Sequence, residues 1–132
     1  MKRMLWILVA LFCSIYASAQ VGILDGNLLD NKCGQQRRFD AGVKLNQEEF
    51  GDALFCIAYI RGVGDAIIVQ DTMKVKLTTD EGEWAKPCFP SSVTNQQYIK
   101  VVLKYLADNP AKLHLPAYLL VLTALTEAFP CH

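Results

Sequence analysis

Cysteines are the residues of this chain with the clearest capacity for chemistry. The sequence has 132 residues and five cysteines. Four of them lie beyond an N-terminal apolar segment: Cys33, Cys56, Cys88 and Cys131. Zinc sites usually begin with two cysteines a few residues apart, and no two of these four are close in sequence. An even number of widely spaced cysteines favours two disulfides, for which three pairings are possible.

Catalytic patterns of other kinds are scarce. The two histidines are His114, which lies between two predicted helices, and His132, next to Cys131, so neither is placed to activate a nucleophile. Adjacent carboxylates at 48–49 and 80–81 are explained by a helix start and a solvated loop. The sequence has no glycine-rich phosphate loop and no metal-binding motif. We therefore predict a binding or structural protein that is not an enzyme and uses no cofactor or metal.

The N-terminal segment is typical of an export signal. Lys2 and Arg3 precede an apolar run at residues 5–15, and small residues follow at 17–19, where a signal peptidase cleaves. This run is shorter than the roughly 18 to 20 apolar residues that span a bilayer. We predict a signal peptide at 1–19, one domain at 20–132, and no stable membrane anchoring after cleavage.

The charge balance does not favour nucleic acid as a partner. The chain has 13 basic and 13 acidic side chains, and removal of Lys2 and Arg3 with the signal leaves a slight acidic excess. Such a balance gives no electrostatic reason for binding nucleic acid.

Apolar periodicity predicts two helices in the first half of the mature chain. The first is expected over residues 22–34, followed by a polar connecting loop over 35–44. The second begins where Asn46 and Glu49 can cap each other's backbone amides. Its predicted core-facing positions are Phe50, Ala53, Leu54, Ile57, Ile60 and Ile67.

Two further helices are predicted after Cys88. Thr94 and Gln97 have the spacing of a capping box, and the residue before Pro110 cannot easily stay helical. The last helix is expected to start near Pro110 or Pro116, with a break or a single turn before Pro116. Because these two helices would be antiparallel, Cys88 and Cys131 are predicted to pair, which leaves Cys33 for Cys56. The predicted fold is a small all-α bundle of about four helices, held by two disulfides.

A long loop is predicted between the second and third helices, over residues 69–87. Residues 73–77 alternate like a strand, but we expect no partner strand for them. Asp80, Glu81, Glu83 and Trp84 are candidates for a protruding recognition element, since Trp is favoured at binding hot spots. In the alternative interpretation the acids are only solvated and Trp84 packs back onto the helices.

A series of short motifs runs along most of the mature chain. In chain order they are Gly26-Asn27 with Leu29 and Cys33; Phe55-Cys56 with Tyr59-Ile60, Gly62 and Asp65; Cys88-Phe89-Pro90 with Val93-Thr94 and Gln97; Tyr105-Leu106 with Pro110; and Ala124-Leu125 before Ala128-Phe129-Pro130-Cys131. In these motifs and their order, the sequence resembles the exported immunity proteins of the Tai/Rap superfamily. Those proteins protect bacteria against peptidoglycan amidase effectors delivered by type VI secretion.

The resemblance implies a periplasmic helical inhibitor that occupies the active-site cleft of an amidase effector, often as a homodimer. Within that hypothesis, the expected partner contacts are Asp80, Glu81, Glu83 and Trp84, with the turn at 108–114 as second choice. Two other classes remain open at this stage. One is an HdeA-like periplasmic acid-stress chaperone, and the other is a structural, envelope-associated helical domain.

Overall fold

The computed structural model describes residues 23–73, 78–79, 82–83 and 86–131. Within these ranges the protein is an all-α bundle of four helices: α1 (Gly26–Asp40), α2 (Gln47–Thr72), α3 (Asn95–Asp108) and α4 (Ala117–Ala128). Three shorter elements are the 3-10 turn Pro110–Lys112, strand β1 (Thr78–Thr79) and strand β2 (Gly82–Glu83). The predicted fold class is confirmed. The predicted signal peptide at 1–19 lies outside the described residues.

Helix α1 begins with a side-chain cap and continues further than its sequence suggests. The carboxylate of Asp25, the N-cap residue, accepts a hydrogen bond from the backbone N–H of Leu28 at 2.9 Å, as capping requires. The helix ends only at Asp40. The prediction of a loop beginning at residue 35 is therefore wrong.

Ion pairs explain why this polar segment is helical. Arg37 pairs with Asp30 of the same helix at 2.9 Å, and Arg38 pairs with Glu49 of α2 at 2.6 Å. Such surface pairs are screened by solvent and act together with hydrogen bonds inside the segment, from Gln36 to Asp40 and from Arg38 to Gln35. Composition alone does not distinguish this helical end from a loop, because these contacts form only when the segment is helical and packed beside α2.

Helix α2 has the predicted start but a different inward face. The Asn46 side chain accepts a hydrogen bond from the Glu49 N–H, and the Glu49 carboxylate accepts one from the Asn46 N–H, both at 2.9 Å. Its buried apolar residues are Ala53, Cys56 and Ile60. Phe50 and Leu54 are 45% and 50% exposed, so their prediction as core residues is wrong. Both sets of residues have helical spacing, and the packing of α2 against the other three helices decides which set is buried.

A disulfide and an ion pair fix α1 against α2. Cys33 and Cys56 are bonded, with their Cα atoms 5.0 Å apart, and both are completely buried. Lys32 pairs with Asp52 one turn from this bond, with a nitrogen–oxygen distance of 2.5 Å. The pairing of Cys33 with Cys56 is the one that the helix order predicted.

The capping box predicted for α3 is present. The Thr94 hydroxyl accepts a hydrogen bond from the Gln97 N–H at 3.3 Å, and the Gln97 side-chain oxygen accepts one from the Thr94 N–H at 2.7 Å. The helix ends at Asp108, before Asn109 and Pro110, as predicted. Its buried residues are Ile99, Val102, Leu103, Tyr105 and Leu106.

Helix α4 supplies the most apolar part of the core. Its buried residues are Ala117, Leu120, Val121, Ala124 and Leu125. They pack with the buried faces of the other three helices in one continuous cluster. Ala128 is exposed at the end of the helix. None of the helices in the described ranges is long and apolar enough to cross a membrane.

The segment between α2 and α3 differs from the predicted loop in two ways. Helix α2 continues to Thr72, so the predicted start of the loop at residue 69 is wrong. Further along, β1 and β2 form an antiparallel pair that was not predicted, because strands of two residues leave no alternation to detect. Residues 74–77, most of the stretch that was expected to have no partner strand, lie outside the described residues.

Candidate recognition site

The hairpin formed by β1 and β2 lies inside the segment where the sequence predicted a recognition element. Thr78 is opposite Glu83 and Thr79 is opposite Gly82. Residues 80–81 connect the strands, which is the commonest length for a hairpin connection. The chain therefore runs in opposite directions at Thr78–Thr79 and at Gly82–Glu83.

The structure describes one of the four predicted contact residues. Glu83 belongs to β2, where its backbone pairs with that of Thr78. Asp80, Glu81 and Trp84 lie outside the described residues. The hairpin therefore supplies a backbone position for Glu83 alone.

A disulfide fixes the chain where it leaves the hairpin region and approaches α3. Cys88 is bonded to Cys131, with their Cα atoms 4.9 Å apart, as the antiparallel arrangement of α3 and α4 predicted. The backbone N–H of Cys88 donates a hydrogen bond to the Phe129 carbonyl at 2.8 Å. Pro87 next to it is buried. We call residues 86–89 the hairpin base.

Phe89 of the hairpin base packs in a cluster of three aromatic rings. The ring centroid of Phe89 lies 4.7 Å from that of Tyr98 and 5.5 Å from that of Phe129, in edge-to-face geometry. The Tyr98 and Phe129 centroids are 6.0 Å apart. Such pairs contribute about 0.5–1.5 kcal/mol each beyond the area that they bury. The base is therefore attached to the start of α3 and the end of α4.

Helix α2 also reaches this cluster. Burial, and secondly the nearby Asp65 carboxylate, raise the pKa of Tyr98, because both disfavour a phenolate. Tyr98 is thus neutral at physiological pH. Asp65 is an exposed residue close to this ring.

The turn at 108–114, the second choice for partner contacts, is largely occupied by its own hydrogen bonds. Lys112 donates to the Tyr105 hydroxyl at 3.1 Å, which raises the pKa of Lys112. The Asn109 side-chain amide donates to the Tyr105 carbonyl at 2.9 Å. His114 Nδ1 lies 3.0 Å from the Ala111 carbonyl oxygen. Helix α3, about 21 Å long at 1.5 Å per residue, separates this turn from the hairpin base.

An exposed apolar surface on α1 and α2 was missed by the sequence analysis. Phe39 is 51% exposed, and its ring meets that of Phe50 edge-on with centroids 6.2 Å apart. Leu54 follows Phe50 by one helical turn. We call Phe39, Phe50 and Leu54 the outer patch. Extending the first predicted helix to include Phe39 would have identified this surface, because the helix then carries the Phe39 ring that meets Phe50.

Charged groups border the outer patch. Arg38 donates to the Glu49 carboxylate, and this bond, followed by the one from the Asn46 backbone, lowers the pKa of Glu49. Lys44 and Glu48 are exposed nearby in the chain. No group of three or more His, Cys, Asp or Glu residues suited to a metal ion occurs in the described part of the chain.

These features define a class of protein: a small helical domain with two disulfides. Its long segment between the second and third helices contains a hairpin, and the disulfide between Cys88 and Cys131 attaches the chain after that hairpin to the bundle. The chain belongs to the family of Rap1a immunity proteins, whose family model matches residues 25–131. That match extends from the N-cap of α1 to Cys131 and so includes both disulfides. A search of the curated proteins found no match.

Proposed function

We propose that this protein is an exported immunity protein that binds a peptidoglycan amidase effector and blocks its active-site cleft. The observation that carries this proposal is membership of the Rap1a immunity family over residues 25–131. Immunity by this route needs no chemistry from the inhibitor, so the protein acts as a non-enzymatic binding partner. The amidase as target, and occlusion as mechanism, rest on the sequence resemblance described above.

Export into the periplasm agrees with the covalent structure. Disulfides persist in oxidising compartments such as the periplasm and are rare in the cytosol. The protein has two, and one of them lies in the core. Together with the signal peptide predicted at 1–19, they support action in the compartment that contains the cell wall.

The hairpin is the proposed contact element because it combines a fixed attachment with suitable side chains. A binding loop that is already held in place loses less conformational entropy when it binds. The bond between Cys88 and Cys131 and the ring cluster provide that attachment. We propose that Asp80, Glu81, Glu83 and Trp84 contact the effector, with Trp84 as the energetic centre.

The test begins with an amidase encoded beside the gene for this protein. The two proteins are purified together, and hydrolysis of peptidoglycan by the amidase is measured with and without this protein. Capture and inhibition at equimolar concentrations are expected. Absence of any amidase that is bound or inhibited would sink the proposal.

The contact residues are tested by substitution. Trp84→Ala is expected to weaken binding at least 10-fold, equivalent to about 1.4 kcal/mol, with an unchanged thermal midpoint. Replacing all four hairpin residues should abolish inhibition. The matched control is His114→Ala in the turn at 108–114, which should leave the affinity unchanged. A loss of affinity in the control alone would move the contact site to that turn.

A second proposal concerns self-association through the outer patch. Exposed apolar groups clustered on one surface often mark protein interfaces, and Phe39, Phe50 and Leu54 form such a cluster. Lys44 and Glu48, which are exposed and close to Phe50 in the chain, carry opposite charges. A two-fold interface brings each residue of one protomer to its partner's complementary residue, so these charges suit a homodimer.

Light scattering coupled to size-exclusion chromatography tests the homodimer. The unchanged protein is expected to elute as a dimer, and the double variant Phe50→Ser/Leu54→Ser as a folded monomer. Ile68→Ser is the control, since Ile68 is similarly exposed, at 45%, further along α2. A dimer that survives the double substitution would exclude the outer patch as its interface.

A further inference from the structure

The two disulfides differ in their exposure to solvent. Cys33 and Cys56 have no exposed surface and belong to the core cluster. Cys88 and Cys131 are exposed. Thiol–disulfide exchange requires a thiolate to reach one of the two sulfur atoms, so access controls its rate. A reductant can approach the second bond in the folded protein, whereas the first must be uncovered.

The two bonds also connect different kinds of structure. Cys33 and Cys56 lie within α1 and α2, so the bond between them cannot open far without separating two packed helices. Cys88 and Cys131 lie outside the helices, before α3 and after α4. Opening the second bond therefore requires no helix to move.

The helices next to the second disulfide have other reasons to stay together. Val102 and Leu106 of α3, and Leu120 and Leu125 of α4, are buried in the shared core. The capping box at Thr94 is local to α3. The hairpin base belongs to no helix, and once the covalent bond is lost its described contacts with the end of α4 include the hydrogen bond from Cys88 to Phe129 and the ring contact of Phe89 with Phe129.

We propose that the disulfide between Cys88 and Cys131 is a redox-sensitive switch. A dithiol reductant opens this bond in the folded protein and leaves the bond between Cys33 and Cys56 intact. The reduced protein keeps its four helices and loses the covalent attachment of the hairpin base. Exchange of the two thiols with a small-molecule disulfide, which takes up the two electrons and two protons and leaves as two thiols, restores the attachment. The proposal concerns this chain alone and does not depend on the identity of its partner.

The exchange is balanced in atoms and electrons. A thiolate of the reductant attacks one sulfur of the pair, which breaks the protein disulfide and forms a mixed disulfide. The second thiol of the reductant then attacks the mixed disulfide and leaves as part of a cyclic disulfide. Two electrons pass to the protein, and the two protons lost by the dithiol end on the thiols of Cys88 and Cys131.

Alkylation under native conditions tests this directly. The folded, oxidised protein is incubated with dithiothreitol, samples are quenched with iodoacetamide, and peptide mass spectrometry measures the modification of each cysteine. Cys88 and Cys131 are expected to become modified at least 10-fold faster than Cys33 and Cys56. Circular dichroism of the partly reduced protein is expected to show unchanged helix content.

Two results would overturn the proposal. One is equal modification rates for the four cysteines, and the other is loss of helix content together with the first reduced pair. The double variant Cys88→Ser/Cys131→Ser provides a second measurement and is expected to be helical with one disulfide. If this variant does not fold during production, the alkylation rates of the unchanged protein still decide the question.

Discussion

Gly26 lies directly against Leu120, where the first helix begins beside the last. A Cβ atom at Gly26 would overlap Cδ1 of Leu120 and lie 2.8 Å from the carbonyl oxygen of Leu113. The Gly26 N–H donates to the Leu115 carbonyl at 2.9 Å. The backbone of α1 thus lies closer to α4, and to the turn before α4, than a residue with a side chain would allow.

Gly26→Ala is therefore expected to destabilise the protein by about 1–3 kcal/mol, the usual cost of forcing extra atoms into a packed core. Urea denaturation measures the loss. The control is Gly62→Ala, because a Cβ at Gly62 in α2 has no heavy atom within 4 Å. That change should stabilise the protein by up to about 1 kcal/mol. Equal effects of the two substitutions would contradict the close approach at Gly26.

The inward face of α2 gives a second test. Ile60→Ala is expected to cost about 2–5 kcal/mol, because Ile60 is 1% exposed. Leu54→Ala is the comparison, since Leu54 lies on the same helix and is half exposed. We expect its cost in folding stability to be below about 1 kcal/mol at protein concentrations too low for self-association. A larger loss for Leu54 than for Ile60 would mean that α2 is rotated about its axis.

The capping box of α3 is a third point of measurement. Thr94→Ala removes the hydroxyl that accepts from the Gln97 N–H and is expected to cost about 0.5–2 kcal/mol. Thr94→Ser keeps a hydroxyl and should recover most of this. Thermal unfolding of the two variants separates the cap from any effect of side-chain size. A serine variant as unstable as the alanine variant would argue against the hydrogen bond as the cause.

The lowered pKa of Glu49 predicts that folding stability depends on pH. Its pKa is lowered, first by the side-chain hydrogen bond from Arg38 and then by the backbone of Asn46. A carboxyl group with a lower pKa in the folded state contributes stability above its unfolded pKa, and that contribution is lost as the pH falls through the folded pKa. Glu49→Gln should therefore flatten the fall in stability below about pH 4.3.

Urea denaturation between neutral and acidic pH measures this slope. Glu48→Gln is the matched control, because Glu48 is an exposed carboxylate in the same helical turn. Its slope is expected to stay close to that of the unchanged protein. A steeper slope for Glu49→Gln than for the unchanged protein would reverse the sign of the argument.

The elements that could be predicted from the sequence are those whose determinants are local. The capping boxes at Asn46 and Thr94 and the break at Pro110 are each encoded within a few residues. The disulfide pairing followed because two antiparallel helices bring Cys88 and Cys131 together. Fold class and pairing needed only these signals and the helical period.

The features that could not be predicted depend on distant partners. Residues 35–40 are helical beside Glu49, a contact that no local pattern reveals. Phe50 and Leu54 fit a buried stripe as well as Ala53 does, and only the packing of α2 against the shared core decides which of them is buried. The hairpin has two residues in each strand. Of the four proposed contact residues, only Glu83 lies in the described part of the chain, so the contact set remains a prediction.

Helix α4 is held at both ends by segments that are distant in the chain. At its start, the Ala117 N–H donates to the Leu24 carbonyl at 2.7 Å, and just beyond its end the Phe129 carbonyl accepts from Cys88. Fraying from either end would have to break these contacts as well as the helix. We therefore expect the amide protons of α4 to exchange with solvent deuterium only when the whole domain opens. Their exchange rates would then report the global free energy of unfolding, whichever substitution is being compared.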